Sequence, residues 1–293
     1  MANLIIRKIK GISMQRIFPL IVIFISTSLL LSCATTQKAP DHYDYFEQSH
    51  PQVYQLLSMM PLEDGASRDS VNTALLALGP DKLAEIAGLV LPAGIGNDAK
   101  PRYALGDLSH FVTQPGLQSE RQMYESVLLS ALSDAGDEEV KAFFLRQLEQ
   151  VGSPRAIGPV SNYLRDPKLY APATKTLLSI DSLESAELFL KSLNNAGDER
   201  IPTLLNAVGE TGHTVDAEAI AEYADSDNEA VRLAALQALS SLGNPNSADI
   251  LAKASLEAEP YNRTQIHAFY LNYASVLSDS GEAALSESIY RGL

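Results

Sequence analysis

Residues Asp227 to Leu251 read DNEAVRLAALQALSSLGNPNSADIL, and the rest of the chain can be ordered around them. Val231, Ala234, Ala235, Ala238 and Leu242 recur at i, i+3, i+4, i+7 and i+11, the spacing of one helical face. Three of these five are alanines, so a neighbouring helix can approach closely. Gly243 follows the last apolar position, where a left-handed cap residue is wanted, and Pro245 cannot extend the helix. Asp227 stands in the place of an N-cap or first-turn acid. Ala248 and Leu251 begin a second helix. The stretch therefore holds one helix, a Gly-Asn-Pro corner and the start of a partner helix.

Working outward, similar corners fall at Gly152, Asp181, Gly212 and Gly243, spaced 29, 31 and 31 residues apart. That is one helix pair per repeat. The period is near the ankyrin and TPR values and just below the usual HEAT range, and neither the T-P-L-H ankyrin signature nor the TPR tryptophan-glycine pattern is present. Asp227, Val231, Arg232, Ala234, Ala235, Ala238, Leu239, Leu242, Gly243, Pro245, Ala248 and Leu251 resemble one HEAT repeat, of the short type found in phycobilisome-lyase-like proteins. The resemblance implies an all-α fold: a right-handed α-α superhelix, an armadillo-type solenoid of antiparallel helix hairpins. No such hairpin can bury its apolar face alone, so neighbours stack and leave an extended surface. The resemblance is clear over residues 118–257 and fades toward both ends of a solenoid that would span 51–293. Asp181 in place of a corner glycine, and Ile201-Pro202 in place of the Val-Arg pair, depart from it.

The other helices follow from periodicity and caps. Upstream, Val53 to Met60 reads as a short helix, and Asp69 or Ser70 can cap another through Leu78. Asp81 can open a third, with Leu83, Ile86, Ala87 and Val90 on one face. Pro92 to Pro101 contains Gly94-x-Gly96-x-x-Ala99, formally a dinucleotide-binding fingerprint. That motif needs a strand before it, whereas the preceding periodicity is helical, so the segment reads as a glycine-rich inter-helix loop. Ser119 can cap a helix to Leu132, and Asp137 opens one through Val151. Further faces are Ala156-Ile157-Val160-Leu164, Ala186-Leu190-Leu193 and Ile201-Leu204-Leu205-Val208. The last helices span 247–257, 264–277 and 281–290.

The chain has 293 residues, with 22 basic and 36 acidic side chains. Beyond residue 32 the balance is 18 against 36, a net charge of −18. Such a body repels phosphate backbones, and no basic stripe overrides this, so a nucleic-acid partner is not expected. A basic protein or peptide is electrostatically easier, although the acid also serves simply to keep an alanine-rich chain soluble. There is no tryptophan, which disfavours a stacked sugar site. Cys33 is the single cysteine, so no intrachain disulfide can form.

Residues 1–16 are basic, and Ile17 to Leu31 are apolar or small. That run of 15 falls short of the roughly 20 residues of a membrane span and suits a signal-peptide core. It ends in Leu30-Leu31-Ser32-Cys33, which resembles the bacterial lipoprotein signal. The resemblance implies removal of residues 1–32, a thioether-linked diacylglycerol on Cys33 and an acyl chain on its new amino group. Ala34, rather than an aspartate, implies outer-membrane sorting and a location facing the periplasm. Residues 33–50 would form the tether.

Chemistry-bearing motifs are sparse. H-E-x-x-H, G-x-S-x-G, S-x-x-K and the P-loop are absent. Asp225 to Glu229 begins like a calcium loop, but Ala230 stands where the required glycine would be. The histidines at 42, 50, 110, 213 and 267 are scattered, and Asp107 with His110 is a single pair one turn apart. No catalytic residue, metal ligand or cofactor is assigned. Ile266, Phe269, Tyr270 and Tyr273 share helical spacing and read as a core stripe. Tyr261, His267 and Tyr270 form the alternative, a recognition patch, because aromatics concentrate at interface centres.

These observations lead to a lipid-anchored envelope scaffold that binds a protein or peptide and is not an enzyme. A second expectation is an accessory or catalytic component using carboxylates and tyrosines in the solenoid groove. Tetrapyrrole handling, by analogy with the lyase-type repeats, is weaker, since Cys33 is committed to the lipid. The last helix is only partly polar, so self-association or partner docking is expected at the C-terminal end.

Overall fold

The computed structural model describes residues 50–213 and 215–292. The chain divides into Met1–Ser49 and His50–Leu293. The signal segment, Cys33 and the tether as far as residue 49 lie outside the described residues.

Among those described there are fifteen α-helices and no strand. The first six are α1 (Pro51–Ser58), α2 (Gly65–Ala77), α3 (Pro80–Ala87), α4 (Ala99–Phe111), α5 (Gln118–Asp134) and α6 (Glu138–Val151). Next come α7 (Ile157–Ser161), α8 (Tyr170–Ile180), α9 (Leu183–Leu193), α10 (Ile201–Thr211) and α11 (Glu218–Ala221). The chain continues with α12 (Glu229–Leu242), α13 (Ala248–Leu256), α14 (Arg263–Asp279) and α15 (Ala283–Gly292). Alternate helices form one row, α2, α4, α6, α8, α10, α12 and α14, each packed on the next. The helices between them form a looser second row, and α7 and α11 are short pieces extended by 3₁₀ turns. The chain is an all-α solenoid of stacked helix hairpins.

The core lies between the rows. Leu145, Leu148, Leu177, Leu204, Leu205, Leu239 and Leu277 are fully buried, each worth about 1.5–3 kcal/mol of transfer free energy. Helix α12 is buried on more than one side because α10 and α14 flank it. Val231, Ala234, Ala235 and Ala238 are buried as their spacing requires, Leu236 and Leu239 are buried too, and Leu242 is half-buried. The alanines do allow close approach: a Cβ added at Gly209 of α10 would lie 2.8 Å from the Ala238 Cα. Gly243 is required twice over, since its φ of 62° is left-handed and any Cβ there would run into Val276.

Asp181 takes the corner glycine's role. Its φ is 48°, and it is the only non-glycine residue with positive φ among those described. Its N–H closes α8 on the Leu178 carbonyl at 3.0 Å. A left-handed L-residue costs roughly 1–2 kcal/mol, less for aspartate, while glycine adds unfolded-chain entropy. Asp181 is 76% exposed, so its contact with the half-buried His213 at 3.4 Å contributes little. Asp181→Gly is therefore expected to stabilise the fold by about 0.5 kcal/mol, read as a raised urea midpoint.

Several caps differ from the sequence reading. Asn228, not Asp227, caps α12 by accepting the Ala230 N–H. Asp64 caps α2 through Ser67 N–H at 2.8 Å, which starts that helix before Asp69 and Ser70. Helix α5 begins at Gln118 without a side-chain cap, because the Ser119 hydroxyl donates to Glu120 instead. Phe189 is buried where Leu190 was expected. Pro101 sits in the first turn of α4, where a missing N–H costs nothing. Residues 92–98 form a loop after helix α3, so the glycines there are not part of a βαβ unit.

Two buried tyrosines tie helices to their neighbours, one to a corner and one to a helix backbone. The Tyr273 hydroxyl donates to the Asn244 carbonyl at 2.7 Å, and Tyr124 donates to the Leu105 carbonyl at 2.6 Å. Burial pushes the Tyr273 phenol up to about 12, and the nearby Asp249 and Glu282 charges add to this. Burial also raises Tyr124. A raised folded-state value favours the protonated native form, so this stabilisation is complete below about pH 10 and is lost as pH rises toward 12. Tyr273→Phe should cost about 1 kcal/mol at neutral pH and flatten the alkaline fall in stability, measured by denaturant unfolding across that range.

Candidate functional site

The last residue of α13 and the loop that follows read Leu256-Glu-Ala-Glu-Pro-Tyr261. Pro260 lacks the N–H needed to continue α13, so the chain turns and displays its side chains. Leu256 is 88% exposed and Tyr261 92% exposed. Between them, Glu257, Ala258 and Glu259 line a cleft of about 270 Å³ with α12, α13 and the 3₁₀ turn at Glu222–Asp225. Its floor is apolar: Leu236, Ile250, Ala254, Ala258 and Ile266. Its rim carries Asp225, Glu257 and Glu259.

Two cations also line the cleft, and both are engaged internally. Arg232 Nη1 donates to the Ser226 carbonyl at 2.8 Å, and Lys253 Nζ meets Asp225 Oδ1 at 3.2 Å. Asn262 anchors the far wall by donating to Glu229. Neither Glu257 nor Glu259 has an ion-pair partner among the described residues. Residues 222–263 hold seven acids against three bases, the third being Arg263, which donates to the Ala258 carbonyl at 3.5 Å, so the field over the cleft is negative.

The three aromatic-patch residues differ in exposure. Tyr261 stands on the exposed loop. His267 and Tyr270 are half-buried toward α13: His267 Nε2 lies 3.2 Å from the Ser255 carbonyl oxygen. Burial, aided by the Asp249 charge, raises the Tyr270 phenol. None of the three lines the cleft. Sequence reasoning missed Leu256, Glu257 and Glu259. The available signal was an apolar-acid alternation, closed by a proline, in a segment too short for a helix.

Two other concavities lie nearer the N-terminal end of the solenoid. A pocket of about 520 Å³ lies among α3, α5 and α6, walled by Ala84, Ala87, Val90, Ala131, Val140 and Phe144. An open face of α4 carries Arg102, Tyr103, Asp107 and His110. There Asp107 pairs with Arg68 at 3.5 Å. Arg102 is a structural joint: it binds Asp98 and Glu139 at 2.6 Å each, donates to the Leu91 carbonyl and stacks 4.8 Å from the Phe143 ring. Glu125 is buried to 1% exposure, and its carboxyl accepts the Ser153 N–H and hydroxyl, both at 2.8 Å. Among the described residues no group of three His, Cys, Asp or Glu side chains could hold a metal ion. No helix among them is long and apolar enough to cross a membrane.

The PBS lyase HEAT-like repeat family matches residues 231–257, the segment that contributes half of the residues lining the cleft. No curated protein matches the chain. Among solved structures, one crystal structure of an engineered protein is 15% identical, covering 66% of this chain and 96% of its own, with a TM-score of 0.40. A second engineered protein is 13% identical, covering 86% and 75%, with a TM-score of 0.42.

Proposed function

We propose that this protein is a lipid-anchored envelope scaffold that holds a protein or peptide partner on its solenoid surface. The observation that supports it most is the α13–α14 loop. Two large apolar side chains stand in solvent beside an apolar cleft, an arrangement with no role in the protein's own core. HEAT-like repeats generally serve protein–protein interaction, and that analogy is at fold level. The anchor rests on the sequence around Cys33 alone, as does the outer-membrane, periplasm-facing location. Mass spectrometry of the mature chain should find a diacylglyceryl and acyl adduct at Cys33, absent in Cys33→Ser.

The catalytic alternative would use carboxylates converging in a groove. The one buried carboxylate among the described residues, Glu125, is engaged by Ser153 at a repeat corner, so its geometry serves packing. Self-association at the C-terminal end has a narrow basis. The outer face of α15 shows Ala283, Ala284, Glu287, Ser288, Arg291 and one large apolar side chain, Tyr290, while Ile289 is buried inward.

The test of the scaffold reading is cross-linking of the chain in detergent-solubilised envelope, with Cys33→Ser as the anchor control. The same partner should be captured reproducibly, and Leu256→Ser with Tyr261→Ser should lose it. Capture of nothing above an unrelated acidic protein would remove the reading.

A further inference from the structure

We infer that the α13–α14 cleft receives a basic side chain of its protein partner, from a segment that carries apolar residues on either side. This deepens the scaffold reading and rests on it. At about 270 Å³ the cleft stands at the small end of ligand pockets, with room for one long side chain.

Polarity then selects the side chain. The floor of Leu236, Ile250, Ala254 and Ile266 is apolar, and the acids stand at the rim. Lysine and arginine have that same order, an apolar stem ending in a charge that keeps to the water side. Arg232 and Lys253 do not fill this role, since each is turned to a partner within the fold. Glu257 and Glu259 therefore face outward as acceptors for an incoming cation. An anionic segment would meet the surplus of acids over residues 222–263 and be repelled.

The flanks select the neighbours. Leu256 and Tyr261, at 88% and 92% exposure, border the two glutamates along the chain. Exposed leucine and tyrosine around a charged centre match the layout of interfaces in which apolar contacts shield an ion pair from water. The partner segment thus reads apolar, basic, apolar.

The experiment is fluorescence anisotropy on the full-length Cys33→Ser chain in detergent, using a fluorescein-labelled peptide that alternates leucine and lysine. Glu257→Lys with Glu259→Lys should weaken binding at least tenfold, and so should Leu256→Ser with Tyr261→Ser. Raising the salt from about 0.05 to 0.5 M should weaken the wild type several-fold, since screening lengths fall below 10 Å. A peptide with glutamate replacing lysine should not bind. Equal binding of the glutamate peptide, or unchanged affinity in both double variants, would overturn the inference. If cross-linking still captures a partner that Glu257→Lys with Glu259→Lys does not release, the scaffold stands and the basic occupant falls. If the peptide binds as described while cross-linking captures nothing, the cleft chemistry stands and the scaffold reading falls.

Discussion

Ala238→Leu is expected to destabilise the C-terminal repeats by about 3 kcal/mol, the upper part of the range for overpacking a tight core. Ala238 is fully buried, and its backbone is so close to Gly209 that even one added carbon on the glycine would stand 2.8 Å from the Ala238 Cα. Leucine brings three more carbons to the same contact. Its transfer gain of about 2 kcal/mol requires space that the α10–α12 interface lacks. Gly209→Ala is the sharper companion. Helix propensity alone favours alanine there by about 1 kcal/mol, so a stabilised variant would mean that the close approach is not real. The expected sign is the opposite, read from denaturant midpoints of both variants.

Glu125→Ala is expected to cost about 3 kcal/mol, because the half-buried Ser153 N–H and hydroxyl lose their acceptor together. The carboxyl holds Ser153 at the start of the 3₁₀ turn Pro154–Ala156. Arg121 of the same helix donates to the Val151 and Gly152 carbonyls at 2.8 and 3.1 Å. One helix thus ties down the whole corner between α6 and α7. Glu125→Gln keeps one acceptor oxygen and should cost about 1 kcal/mol. Glutamine keeps the volume of glutamate, so equal losses in the two variants would place the effect in the carboxylate's charge and not in volume.

The residues that disclosed the fold are those whose demands are local. Gly243 announced a left-handed corner, and the alanines of α12 announced a close neighbour. Each of these follows from the residue's own geometry. Asp181 shows the limit, since aspartate at a corner is usually a cap, and only the structure shows its backbone in the glycine conformation. Glu125 was illegible for a different reason. Its partner Ser153 lies 28 residues away, and no spacing rule relates them. The cleft had the same difficulty: its walls come from three helices and a 3₁₀ turn. Tyr261 was visible as an aromatic near a turn, but the acids between it and Leu256 acquire meaning only beside Leu236 and Ile266.

The central claim is that neighbouring hairpins hold each other in place through the row α6, α8, α10, α12 and α14. In such an array stability is a sum of unit and nearest-neighbour terms. Hydrogen exchange by mass spectrometry on Ala238→Leu tests this directly. Large losses of protection are expected in α10, α12 and α14, tapering through α8, with α1 to α6 close to wild type. Uniform loss from α1 to α15, or no loss in α10 and α14, would contradict it.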